Sequence, residues 1–263
     1  MQYNKINVYL RACNSAQNKP NNGRPPWYSQ DKCFYNLLRT INWRLVNLTV
    51  VHDGDISNTL TEVLQDDYPY KVRNIDTKSY TGYSYEPNCG SSKSLCLVSQ
   101  IIKENNIPEN ELIYILEQDY LHRLGWVETT LDFFNVVKNA NRCMLSLYDH
   151  KDKYLFRLSD EEIKQHNLEN HWGLYRELKS EIFLTNYSHF RTVPSICSSW
   201  IFTKEMFDFA YGLLSIGISD NSCCGEMLKR GCWFASPIPS YACHVQEPFL
   251  APYINWEEIS KKS

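Results

Sequence analysis

Apolar, β-branched runs alternate with polar breaks and helically spaced segments along the first half of the chain. Residues 5–11 (KINVYLR) and 43–52 (WRLVNLTVVH) read as strands, and 30–41 between them has helical spacing, so the chain opens as β-α-β. A third short strand is predicted at 70–75 (YKVRNI), a helix at 92–105, and a fully buried strand at 111–116 (ELIYIL) that runs straight into polar residues. Strands alternating with helices imply an α/β fold with a mostly parallel central sheet flanked by helices. Ligands of such sheets bind beyond the carboxyl ends of the strands, so the residues just after each run are the ones to inspect.

The second half is patterned less regularly. Residues 126–139 predict a helix and 143–148 (CMLSLY) a strand, whereas the charged stretch 149–170 follows no period. Strands are expected at 181–185 and 198–202, helices at 204–214 and 223–229, and an extended, Pro-containing closing segment at 235–252. No repeat, low-complexity tract or linker interrupts residues 1–263, so one domain is the economical reading.

Composition narrows the function classes. With 263 residues, a 43% hydrophobic fraction and 22% charged residues, the chain can bury a full core without staples. A net charge of -3 argues against a general nucleic-acid binder, which needs clustered Lys and Arg to displace counterions, and leaves room only for a local basic site. The start of the chain has no long apolar region or small-residue cleavage site, and no stretch is long enough to cross a bilayer; a soluble, cytoplasmic protein is expected. Ten scattered cysteines without a secretory signal are expected to be reduced thiols. Cys223, Cys224, Cys232 and Cys243 with His244 lack paired C-x-x-C knuckles, which argues against structural zinc. Trp172, Tyr175 and Trp200 are candidates for stacking on sugar rings, although large aromatics are more often core.

The most informative segment is 113–122, IYILEQDYLH, where a buried strand ends in Glu117, Gln118, Asp119 and Tyr120. Two acids around one spacer can approach a hard divalent cation that neutralises diphosphate oxygens; an acidic strand cap in solvent reads the same way. Gly90, Ser91 and Ser92 open a predicted helix, where small residues let backbone N–H groups approach an anionic ligand, or form an ordinary capped turn. No P-loop and no G-x-G-x-x-G is present.

The segment resembles the E-D-D-Y-L-H motif of a group of small nucleotide-diphospho-sugar glycosyltransferases of the A-type (GT-A) fold. Matching patches follow in order at 146–154 (SLYDHKDKY), 187–194 (YSHFRTVP), 236–244 (SPIPSYACH) and Asn255-Trp256, so the resemblance runs over nearly the whole chain. It implies a Rossmann-like GT-A domain, with about 1–122 binding the nucleotide sugar and about 123–263 the acceptor. Asp119 then becomes the principal metal ligand and Glu117 its partner, with Gln118 in the variable middle of a D-x-D triplet and counted with the donor-binding residues. The late His244 completes the set for Mn²⁺ or Mg²⁺, or is simply hydrogen-bonded in the closing segment. The resemblance places Asp53 and Arg11 near the nucleotide, although Asp53-Gly54 is equally good turn chemistry and Arg11 can pair with a surface acid. His189 and Arg191 are implied near diphosphate or acceptor, with interior scaffold as the other reading.

Direct displacement with inversion needs a carboxylate that accepts the acceptor hydroxyl's proton. Asp220 is the first choice, with a helix N-cap as its structural alternative, and Glu226 is second, with a solvated helical acid as its alternative. The partners implied are a nucleotide diphosphate sugar donor and a glycan acceptor, with a cell-surface polysaccharide or another structural glycan as the natural product. Sequence leaves the donor and the oligomeric state open. Competing readings are a sugar nucleotidyltransferase, which needs a glycine-rich basic loop that 11–24 lacks, and a carbohydrate-binding module without catalysis.

Overall fold

The computed structural model describes residues 2–13, 23–54, 68–154, 159–165, 180–197 and 199–262. Strand β1 (Lys5–Cys13) shows why the opening folds as it does. Its residues Ile6, Val8 and Leu10 pack with helix α1 (Gln30–Thr40) on one face of the sheet, whereas Tyr9 packs with helix α2 (Gly90–Glu104) on the other. Period-two alternation thus buries both faces at once, which leaves the run almost continuously apolar. The Ser29 side chain caps α1 by accepting from the Lys32 amide.

Strands β2 (Val46–Asp53), β3 (Lys71–Ile75) and β4 (Glu111–Glu117) join β1 in parallel register. After β4 come the short β5 (Tyr120–His122), helix α3 (Trp126–Val136), β6 (Cys143–Leu145) and helix α4 (Asp160–Gln165). Strands β7 (Ile182–Leu184), β8 (His189–Val193) and β9 (Trp200–Thr203) precede helices α5 (Lys204–Leu214) and α6 (Asp220–Lys229). The described chain closes with β10 (Trp233–Ile238), β11 (Ala242–His244) and helix α7 (Trp256–Lys261). The main sheet has nine strands in the order β3-β2-β1-β4-β9-β6-β10-β8-β7, and β9 and β8 alone run against the rest. This is an α/β architecture with a large, mostly parallel sheet flanked by helices, and β11 pairs with β5 in a separate ribbon.

Some expectations shift. The strand expected at 143–148 ends at Leu145, because the chain then turns away: the Tyr241 and Ala242 amides donate to Leu147 O, and Tyr148 bridges to Ala242. Residues 187–194, where the resemblance implies ligand contacts by His189 and Arg191 and interior scaffold is the other reading, contain β8 between β10 and β7. The unpatterned region contains α4, which buries no side chain and so has no apolar stripe to read. Trp200 is fully buried in the core instead of offering a stacking face, and Trp172 and Tyr175 lie outside the described residues. All ten cysteines are free thiols; Cys224 contacts Ile196 O and Cys232 contacts Met206, so the loose Cys/His set is not gathered. No helix among the described residues is long and apolar enough to cross a membrane.

Candidate active site

Strand order reverses around β1: the chain builds outward through β2 and β3, then returns through α2 to β4 on the opposite side of β1. The crevice beyond the carboxyl ends of β1 and β4 is therefore a topological switch point, where α/β sheets bind ligands. A cleft of about 380 Å³ lies there, lined by Arg11, Asp53, Gly90, Ser91, Glu117, Gln118 and Asp119 among others. A second recess of about 190 Å³ shares Arg11 and Ser91 with it and adds Ser92, Gly217 and Asp220.

Arg11, at the end of β1, is only 7% exposed. Its guanidinium donates to Ser91 O at 2.6 Å and Ser91 Oγ at 2.7 Å, and lies 3.3 Å from Glu117 Oε1. This fixes a cation between β4 and the first turn of α2. That turn carries no acidic residue, and Cys89 at its N-cap makes no side-chain capping bond. The positive end of α2 thus opens on the cleft without a competing carboxylate of its own.

Asp53, at the end of β2, accepts from the Thr77 amide at 2.9 Å and Thr77 Oγ1 at 2.6 Å. The turn reading of this acid is thereby realised while its side chain still lines the cleft. Asp53→Ala leaves the Thr77 donors without their acceptor and is expected to lower stability by roughly 1–3 kcal/mol, read by denaturant titration. An unchanged midpoint would show that water replaces the carboxylate at no cost.

Gln118 explains its own departure from an acidic triplet. Its carboxamide accepts from Cys13 N at 3.0 Å and donates to Cys13 O at 3.0 Å, clamping the ends of β1 and β4 together. A carboxylate can accept the first bond but cannot donate the second, so an amide is the side chain that fits. Glu117 and Asp119 flank this clamp. Burial pushes the Glu117 pKa up to about 7 against the opposing charge of Arg11, and the neighbouring charges of Asp119 and Asp220 add to the rise. For Asp119, burial works in the same upward direction, but the charges and hydrogen bonds of His244 and Arg24 outweigh it and hold the carboxyl well below the usual range.

His244 reaches the site because β11 pairs antiparallel with β5, setting His244 opposite Tyr120 in register. Its ring stacks on Tyr120 with centroids 5.1 Å apart, and Nε2 lies 3.0 Å from Asp119 Oδ2. Burial lowers the His244 pKa and the Asp119 carboxylate raises it; the carboxylate prevails, leaving it above the ordinary histidine value. The same Oδ2 receives Arg24 at 2.5 Å. Arg24 did not stand out in sequence, because its place beside Asp119 depends on pairing between segments about a hundred residues apart.

The carboxylates of Glu117 and Asp119 are donors that Mn²⁺ or Mg²⁺ takes, and the imidazole of His244 favours Mn²⁺. Asp119 Oδ1 is buried and has no hydrogen-bond partner, an orphaned acceptor that such a cation would complete. Among the described residues no three His, Cys, Asp or Glu are grouped as a ready-made metal site. Arg11 holds Glu117, and Arg24 shares Asp119 Oδ2 with His244.

Asp220 is the first residue of α6; Ser219, not Asp220, takes the N-cap position, which leaves Asp220 in the recess beside Arg11 and Ser91. Ser92 Oγ donates to Gly217 O at 2.6 Å, holding the loop before α6 against α2. Glu226 is not brought in: it sits on the exposed side of α6, paired with Lys229 at 2.7 Å. His189 and Arg191 also lie elsewhere, on β8, four strand positions from β4 or ~19 Å at normal strand spacing. His189 is exposed, whereas Arg191 is buried and donates to Asp149 Oδ1 at 2.8 Å. Tyr154 OH donates to the other Asp149 oxygen, and the Arg191 guanidinium lies 4.1 Å from the centroid of the Tyr154 ring.

Asp149 is 1% exposed, so Arg191→Met strands its charge and is expected to cost about 3–5 kcal/mol at neutral pH. Burial, partly offset by Arg191, already raises the Asp149 pKa, so this acid binds more protons folded than unfolded near that pKa and its contribution to stability falls as pH rises. Losing Arg191 exaggerates the shift. The stability deficit of the variant should therefore shrink as pH falls into the acid range, as read from urea midpoints; a deficit independent of pH would contradict the pairing.

The sequence matches no protein-family profile and no curated protein. Solved structures of similar shape include mouse xyloside xylosyltransferase 1 in its apo form, 10% identical over 88% of this chain and 82% of that one, with a TM-score of 0.43. S. aureus TarS is 11% identical over 88% of this chain and 35% of that one, with a TM-score of 0.46. A 4-diphosphocytidyl-2C-methyl-D-erythritol synthase is 10% identical over 88% of this chain and 87% of that one, with a TM-score of 0.40. At this identity the likeness is one of shape, and the side chains of the cleft must carry the functional reading.

Proposed function

We propose that the protein is a glycosyltransferase that moves a sugar from a nucleotide diphosphate donor to a glycan acceptor with inversion. The observation that carries the reading is the cleft at the switch point, where Arg11, the uncapped start of α2 and the Glu117/Asp119 pair surround one space. Asp53, which lines the same cleft, meets the nucleoside. Arg11 and the backbone N–H groups of Gly90 and Ser91 receive the diphosphate oxygens, for which a helix N-terminus and a fixed guanidinium are suited. The Gln118 clamp keeps the floor of the cleft rigid. Held by Asp119, Glu117 and His244, Mn²⁺ or Mg²⁺ would supply Lewis-acid neutralisation of the departing diphosphate.

Asp220 faces this space from the second half of the chain, across the recess that adjoins the cleft. In one displacement, the acceptor hydroxyl oxygen bonds to the donor's anomeric carbon as the bond to the diphosphate oxygen breaks, and Asp220 takes the hydroxyl proton. The deciding experiment is a panel of UDP-, GDP-, dTDP- and CMP-sugars with the full chain, with and without Mn²⁺. Release of one nucleotide upon adding glycan acceptors, dependent on Asp220, is the expected result. Pyrophosphate release from a nucleoside triphosphate and a sugar 1-phosphate would identify a nucleotidyltransferase instead. Binding of free glycans with no nucleotide sugar bound would identify a carbohydrate-binding module.

A further inference from the structure

We propose that Arg24 is the resident counter-cation of Asp119 and that a divalent cation must compete with it for this carboxylate. The inference deepens the transferase reading and rests on Asp119 acting there as a cation ligand. Arg24 Nη2 lies 2.5 Å from Asp119 Oδ2, the oxygen that His244 Nε2 also reaches, while Oδ1 stays buried and unpartnered.

The arginine is held in place by more than the carboxylate. Its Nη1 donates to Val245 O, its guanidinium lies 4.8 Å from the centroid of the Tyr28 ring, and Gly23 O accepts from the Glu247 amide. Gly23 has φ of +68°, and a Cβ there would come within 3.0 Å of Glu247 O, so a glycine allows the close approach that delivers Arg24. The Val245 amide in turn donates to Asp119 O at 3.0 Å. Residues 23–24, 119 and 244–247 are therefore one interlocked unit.

A largely buried carboxylate needs a counter-charge, and Arg24 provides it in the protein alone. A cation that completes the unpartnered Oδ1 and draws on Oδ2 as well meets a guanidinium that repels it and already occupies that second oxygen. Its apparent affinity is then the intrinsic affinity multiplied by the fraction of time that Arg24 is away. If that fraction is about one tenth or less, removing Arg24 tightens binding by about tenfold or more.

The test is Mn²⁺ titration of the full chain, followed by calorimetry and by the electron paramagnetic resonance of free Mn²⁺. Arg24→Met should bind Mn²⁺ about tenfold more tightly than the wild type, and Asp119→Asn should lose that binding. Equal or weaker binding by an Arg24→Met chain with an unchanged circular dichroism spectrum would overturn the proposal. A second measurement needs no Arg24 variant: in ¹⁵N spectra the Arg24 Nε resonance should shift when the wild type is saturated with Mg²⁺ and stay still in Asp119→Asn. A silent resonance in the wild type would overturn it equally. Nucleotide-sugar binding on the same samples separates the two levels. Donor binding with no tightening in Arg24→Met removes the competition alone, whereas tightening with no donor bound removes the transferase reading and keeps the competition.

Discussion

Asp119→Asn is expected to lower donor turnover by about 10²- to 10³-fold while the chain still folds. The substitution keeps the shape of the side chain and removes the charge on which Arg24 and His244 converge. Losing that charge also costs stability, by roughly 1–3 kcal/mol, because two donors keep only a neutral amide between them. Both effects can be separated by pH. In the wild type the folded pKa of His244 lies above its ordinary value, so its pairing contributes fully in the acid range and is lost as pH rises through that raised pKa. Asp119 is depressed, so its share is present above the ordinary aspartate pKa and is lost only at much lower pH. The stability gap between wild type and variant should thus be widest between these limits and narrow on the alkaline side, leaving the Arg24 share. Turnover, by contrast, should stay low at every pH. A variant that loses stability along this profile but retains turnover would remove Asp119 from the chemistry and leave it a structural acid.

Local pattern makes the first half legible because β1 and β4 are buried on both faces and α1 and α2 carry clear stripes. Helix α5 begins at Lys204, where Thr203 accepts from the Met206 amide, and the apolar spacing alone located both of its ends. The acids at the end of β4 were legible for the same reason: an apolar run that stops abruptly marks the edge of a sheet. Elements that depend on partners far along the chain left no such mark. β8 contains His189 and Arg191, and the choice between ligand contact and interior scaffold stays open until the antiparallel pairing to β10 and β7 is seen. Arg24 is the functional counterpart of that problem. Nothing in N-G-R-P-P marks it as a partner of Asp119, because the contact is made by the return of 244–247 beside the turn that follows β4.

Gln118 shows the opposite case, in which the sequence displayed the anomaly and only the structure supplied its cause. Against an acidic triplet the amide reads as a weakened motif. Beside Cys13 it is the one change that lets the turn both donate to and accept from the end of β1. The cost in negative charge falls on the middle position, leaving Glu117 and Asp119 to flank the clamp.

Gly217→Ala is expected to disturb both the fold and the cleft. Gly217 has φ of +62°, and a Cβ built there would stand 2.1 Å from Ser92 O and 2.6 Å from Ser92 Oγ. The nearest obstacle is backbone, in the first turn of the helix that borders the cleft, so the loop has to move. Left-handed backbone at a non-glycine costs roughly 1–2 kcal/mol and the overpacking about 1–3 more, which predicts a loss of about 2–5 kcal/mol. That loop leads directly into Asp220, and Ser92 is bonded to Gly217 O. Displacing it should therefore draw Asp220 away from Arg11 and lower turnover beyond what the unfolded fraction explains. Gly212 is the matched control: it lies inside α5, a Cβ there meets nothing within 4 Å, and Gly212→Ala should raise stability by about 0.5–1 kcal/mol with turnover unchanged. Thermal melts and turnover measured on the two variants side by side decide the matter. If Gly217→Ala melts with the wild type and retains turnover, the second half of the chain does not reach the cleft through this contact, and Asp220 loses its place as the base.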